Sequence, residues 1–179
     1  MKKKSVSSLV KYLFPPMDNL LKGLIFVVAG SVLAMVESNI WLLVIMAAIA
    51  LFDFIPDIYK VSDCLSQIKD LKKSDAIDDV ITDFASAEKH LGDEIRIGEK
   101  YVFGKKSGRV VSYTDIDKVH HFVRNRYGYK RKRFVEIFTL EGVKIKLSKV
   151  SDNKENEAEA ELVVKKIKEI APKAEITLW

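Results

Sequence analysis

The 33 residues from Leu20 to Phe52 carry only two formal charges, Lys22 and Glu37, and the polar break Glu37-Ser38-Asn39 divides them into two apolar runs. No other stretch constrains the chain more: helices apolar on all faces must be covered, and 179 residues leave little protein to do it. The strictly apolar runs, Gly23–Val36 and Ile40–Phe52, hold 14 and 13 residues. That is nearer a buried helix than a bilayer span of about 20. The flanks lengthen both. Pro15-Pro16 suits a helix start, so a first helix from Met17 to Val36 reaches roughly 30 Å, with Lys22 extending to the interface. A second from Asn39 to Ile55, ended by Pro56, reaches roughly 25 Å. Tilt and an interfacial Trp41 absorb the remaining mismatch. A cleaved signal peptide fits poorly, because a second apolar run follows at once and Ala34-Met35-Val36 is not a small-x-small cleavage site. The residues predict a two-helix transmembrane hairpin over 17–56.

Lysines flank the pair on one side (Lys2, Lys3, Lys4, Lys11, Lys22, then Lys60), whereas the connecting turn carries Glu37. The positive-inside bias then places both termini in the cytoplasm, behind the basic N-terminal segment 1–16. Gly23, Gly30 and Ala34 share a helical face, and Ala47 and Ala50 offer a small surface opposite, as close helix packing prefers.

From 57 to 91 the pattern becomes that of an amphipathic helical connector, with Ile58, Val61, Leu65 and Ile68, then Ile77, Val80, Ile81, Phe84 and Leu91 on the apolar stripes. A break falls near Lys73-Ser74-Asp75. The acids Asp63, Asp70, Asp75, Asp78, Asp79 and Asp83 lie mostly off those stripes and read as a solvated face; they lack the glycine and terminal Glu of a calcium loop. Cys64 beside the stripe reads as a packing residue, and a lone cysteine excludes an intramolecular disulfide.

Beyond Gly92 the period shifts toward two. Ile95–Ile97, Tyr101–Phe103, Val110–Ser112, Ile116–Val123, Phe134–Leu140 and Val143–Leu147 read as short strands, with turns at Gly104–Gly108 and Glu141-Gly142. A helix from Asn156 to Ile170 follows, ended by Pro172. Residues 92–179 therefore predict an α+β domain.

The segments Gly98-Glu-Lys-Tyr-Val-Phe, Val111-Ser-Tyr-Thr-Asp-Ile-Asp-Lys-Val and Thr139-Leu-Glu-Gly-Val-Lys-Ile, with the final helix leading to Ala171-Pro172, resemble the cytoplasmic module of a family of uncharacterised bacterial membrane proteins related in fold to PH-like domains. The resemblance implies a PH-like β-roll of about six or seven strands with a C-terminal helix, behind a membrane hairpin in the bacterial inner membrane. It supplies no catalytic residue and no defined ligand site.

The total charge of +5 conceals fifteen basic and six acidic residues in 94–150. The run Arg124-Asn-Arg-Tyr-Gly-Tyr-Lys-Arg-Lys-Arg133 packs six cations and two tyrosines into ten residues. Arg124, Arg126, Lys130, Arg131, Lys132 and Arg133 are candidate anionic-surface contacts, with Lys105, Lys106 and Arg109 as a second basic loop. Anionic phospholipid, a partner protein and a second copy of the chain are the candidate partners. Nucleic acid is disfavoured, because no RNA-recognition strand motif, helix-turn-helix or zinc knuckle accompanies the basic run. The adjacent His120 and His121 point to opposite faces of a strand and cannot chelate one ion together. No nucleophile, phosphate-loop or metalloprotease motif is present, so no cofactor or metal is expected. The function expected from sequence is a non-enzymatic, membrane-anchored binding or scaffold protein. A homo-oligomeric structural membrane protein is the alternative, with a nucleic-acid-binding module behind it.

Overall fold

The computed structural model describes residues 2–14, 18–37, 40–124 and 131–178. They form two compact units, one from Met1–Phe14 and Cys64–Trp179, the other from Pro15–Asp63.

The larger unit is built on two four-stranded sheets. β1 (Glu88–His90), β2 (Ile95–Ile97), β3 (Tyr101–Gly104) and β4 (Arg109–Ser112) pair in sequence order as an antiparallel meander. A single 3-10 turn, Tyr113–Asp115, then passes the chain to β5 (Ile116–Arg124), β6 (Lys132–Thr139) and β7 (Lys144–Ser151). The helix α5 (Lys154–Ile170) returns the chain to β8 (Glu175–Leu178), which joins β5 in parallel, so the second sheet runs β7-β6-β5-β8. α5 starts cleanly because the Asn153 side chain accepts the Asn156 N–H at 2.7 Å, with Glu155 and Glu157 in the first turn and Lys168 in the last. Its Ala160, Val163, Val164 and Ile167 close one core cluster with Val102 and Val111 of the first sheet and Val119, Val135 and Ile137 of the second.

A second cluster forms on the other side of β3 and β4. Phe103 and Val110 meet Leu9, Tyr12 and Leu13 of α1 (Lys2–Leu13), Cys64 and Ile68 of α3 (Ile40–Lys73), and Val80, Ile81 and Phe84 of α4 (Ile77–Ser86). The basic N-terminus is thus an anchored helix: Arg96 lies 4.7 Å from the Tyr12 ring and 4.4 Å from that of Phe84, while Asp93 accepts from its Nε and Nη2 at 2.6 and 2.9 Å. Asp83 is no part of a solvated acidic face. It is 7% exposed and accepts the backbone N–H groups of Glu99, Lys100 and Tyr101 at 2.7, 3.2 and 2.9 Å.

In the smaller unit, α2 (Asp18–Val36) packs on α3 where Gly30 lies against Met46: a Cβ at Gly30 would come within 2.5 Å of Met46 Cβ. The transmembrane hairpin expected from the sequence is not supported, because among the described residues no helix is long and apolar enough to cross a membrane. The strictly apolar runs of 14 and 13 residues give only about 21 and 20 Å of helix against a hydrocarbon core of about 30 Å. The flanks do not make up the difference. α2 opens on Asp18, and α3 does not stop at Pro56 but continues through Asp57, Lys60 and Asp63 to Lys73. One proline removes one donor, and the helix resumes because its last turns are held in the second cluster. The inner-membrane placement, and the topology read from the lysine flanks, rested on that span and fall with it. The sheet count also differs: eight strands are present among the described residues, and β8 follows α5, so the helix does not end the domain.

Candidate functional site

Strand alternation sorts the second sheet into two chemically different faces. Along β5, Lys118, His120, Phe122 and Arg124 share one side, and their partners across β6 are Phe138, Glu136, Phe134 and Lys132. One strand further, on β7, stand Lys144, Lys146, Lys149 and Ser151, and on β8 Glu175 faces Lys118. The intervening Val119, Val135 and Ile137 point into the core. The outer face therefore carries six cations, Lys118, Arg124, Lys132, Lys144, Lys146 and Lys149, against two carboxylates, Glu136 and Glu175.

Under the cations lies a layer of rings. Phe122 and Phe134 stack at 5.2 Å with 14° between their planes, and His120 and Phe138 lie 4.6 Å apart at 48°. Lys144 Nζ stands 5.9 Å from the Phe122 centroid and 5.7 Å from that of Phe138, and Lys146 Nζ 5.0 Å from Phe134. Glu136, 2% exposed between them, holds Lys144 at 2.6 Å and Lys146 at 3.9 Å. Both ammonium groups are thus fixed over an apolar floor, while their side chains remain 54% and 45% exposed. A bulge between Val135 and Glu136 lets Leu147 enter the core between Ser148 and Lys146 without rotating the lysines away from this face.

Of the basic residues singled out in the sequence, Arg124 and Lys132 stand directly opposite each other on this face, and Lys132 Nζ donates to Ser151 Oγ at 3.2 Å. Arg131 is exposed just before β6. Arg126 and Lys130 lie outside the described residues. Lys105, Lys106 and Arg109 belong to the β3–β4 hairpin of the first sheet. Arg133 turns inward. It is 5% exposed, donates from Nη2 to Asp152 and Glu157 at 2.6 and 2.9 Å, and meets His121 Nε2 from Nη1 at 2.8 Å. The sequence reading missed Lys118, Lys144, Lys146, Lys149 and the ring layer. The alternation in 134–147 was visible, but which face each residue joined depended on cross-strand register.

Because a guanidinium only donates, His121 Nε2 must accept and the ring proton sits on Nδ1. Burial first, and the Arg133 charge second, hold this imidazole below its usual range; His90 is lowered by burial and by Lys166. As pH falls through the ordinary unfolded value of about 6.5, the unfolded chain gains protons that the folded chain refuses, so stability is lost on acidification until the lowered folded values are reached. Urea midpoints are expected to fall between about pH 7 and pH 5. His121→Gln should flatten that slope, since the glutamine oxygen still accepts from Arg133; an unchanged slope would assign the effect elsewhere. The Asp93 carboxyl, held low by its hydrogen bond to Arg96, acts in a more acidic window.

Two groups that could serve as nucleophile or base, Cys64 and His121, are sequestered. Cys64 is fully buried, and burial pushes its thiol up; His121 is occupied by Arg133. What the outer face can do is attract and hold anionic groups. No family model, curated protein or solved structure matches the chain.

Proposed function

We propose that the protein is a non-enzymatic binding module whose second sheet receives an acidic protein segment on its outer face. The observation that carries this is the excess of six cations over two carboxylates on one sheet face, with Lys144 and Lys146 pinned above rings rather than free in solvent. A pinned ammonium loses less side-chain freedom on meeting a carboxylate than a mobile surface lysine does. The ring layer favours polypeptide over single-stranded nucleic acid. Among the described rings of this face, Phe134 is buried and Phe122 and Phe138 are half-buried beneath Lys144, which limits the area a base could stack on.

The test is fluorescence anisotropy of labelled poly-L-glutamate with the full chain. Binding should weaken steeply as salt rises past about 100 mM, and should fall about tenfold or more in Arg124→Glu/Lys132→Glu. The same charge change placed away from this face, Lys165→Glu/Lys173→Glu, should leave it within about twofold. Equal losses in both double variants would reduce the effect to net charge and overturn the reading. So would tighter binding of an oligothymidylate than of poly-L-glutamate.

A further inference from the structure

The smaller unit presents a surface that its own two helices leave uncovered. Among the described side chains of α2, those withdrawn from solvent are Val27, Gly30, Ser31 and Ala34, a stripe at helical spacing, and Gly30 lies close against Met46 of α3. Outside that stripe the circumference is apolar and open. Fourteen large hydrophobic side chains between Leu24 and Ile55 are 42–82% exposed, with Met35, Val36, Ile40 and Trp41 at 70% or more. At on the order of 100 Å² each they leave roughly 1,400 Å² of apolar surface per chain, against about 300–600 Å² for the largest patch on an ordinary monomer.

The size and the charge of this surface point to its occupant. A standard interface takes about 800 Å² from each partner, so a single contact leaves close to half of the surface in water and two contacts cover it. Between Gly23 and Phe52 the only formal charge is Glu37, which leaves a charged partner nothing to pair with, whereas an identical hairpin is complementary in chemistry and length. We propose that the α2–α3 hairpin is a self-assembly element: copies of this chain pack hairpin against hairpin, each touching two neighbours, in a closed assembly of three or more. Such an assembly sets several copies of the larger unit side by side, so a repetitive acidic partner gains avidity from it; the assembly itself does not depend on the binding reading.

The full chain should show, by size-exclusion chromatography with light scattering, a mass of at least three times 20.3 kDa that persists on dilution to low micromolar concentration. Ile25→Lys/Val32→Lys, at positions 60% and 56% exposed and outside the α2–α3 stripe, should bring the mass down to that of one chain with unchanged far-UV circular dichroism. Met35→Ser/Val36→Ser is the milder pair and should lower the mass in the same direction. Cys64 is buried and offers no handle for crosslinking. A monomeric wild-type chain overturns the proposal, as does a mass unaffected by both double variants. Uptake of single chains into neutral phosphatidylcholine vesicles overturns it too, because lipid would then be what covers the hairpin.

Discussion

Arg133→Ala is expected to lower the unfolding free energy by about 3–5 kcal/mol, read as a shift in urea unfolding followed by far-UV circular dichroism. The magnitude follows from what is left behind. Arg133 Nε and Nη2 both donate to Asp152 Oδ1, at 3.1 and 2.6 Å, and the Asp152 side chain is 16% exposed, so its carboxylate would stay largely desolvated without a partner. His121 Nε2 would become a buried acceptor with nothing to accept from. Glu157, 49% exposed, returns to water and contributes little. Arg133→Lys should recover only part of the loss, because one ammonium cannot span the fork that reaches Asp152, Glu157 and His121 together. It should leave poly-L-glutamate binding unchanged, since the residue lies on the inner side of the sheet. A loss below about 1 kcal/mol for Arg133→Ala would mean that the cluster is hydrated and the guanidinium available to ligands.

The second large effect is expected at Asp83. Its carboxylate takes three consecutive backbone donors, Glu99, Lys100 and Tyr101, and so ties α4 to the turn that begins β3. Asp83→Ala orphans all three and should cost about 3–4 kcal/mol, less than a sum of separate bonds because the turn relaxes as one piece. Gly98 belongs to the same device: a Cβ there would come within 2.1 Å of Asp83 Oδ2. Gly98→Ala should therefore destabilise the wild type strongly by expelling the carboxylate, yet cost less in the Asp83→Ala background, where the three atoms nearest the methyl group are gone. The double-mutant cycle should show a coupling of about 2 kcal/mol or more. Additive losses would show that the two residues act separately and that the turn is held by something else.

The sequence pattern puts both residues in solvent, Asp83 among connector acids and Arg133 in a basic run, whereas both are buried and structural. A charged residue in a charged stretch carries no local sign of burial. What draws it in is a set of partners distant in sequence, Asp152 and Glu157 for Arg133 and the 99–101 backbone for Asp83. The strands, by contrast, were legible. The segments at 95–97, 101–103, 110–112, 116–123, 134–140 and 143–147 coincide with β2 to β7, because short runs rich in β-branched and aromatic residues between turn signals suit strands, whether buried on one face or, as in β3 and β4, on both. β1, over Glu88–His90, has no such alternation and exists because β2 pairs with it; β8 is short and depends on β5. The basic surface was half legible. Arg124 and Lys132 stood out as part of a run, whereas Lys118, Lys144, Lys146 and Lys149 joined them only through register.

The sequence by itself determined the local periods: where strands run, that a helix precedes Pro172, and that Leu20–Phe52 would be apolar all round. Those properties belong to neighbouring residues and to backbone geometry, which the chain carries wherever it goes. Tertiary structure alone decided that the second apolar run does not stop at Pro56 but continues as one helix to Lys73. It also decided that the N-terminal lysine-rich segment is a helix docked through Leu9, Tyr12 and Leu13, and that six cations share one sheet face. Each of these outcomes is set by which surfaces find each other, and the free energy of that choice comes from burial and pairing between residues far apart along the chain.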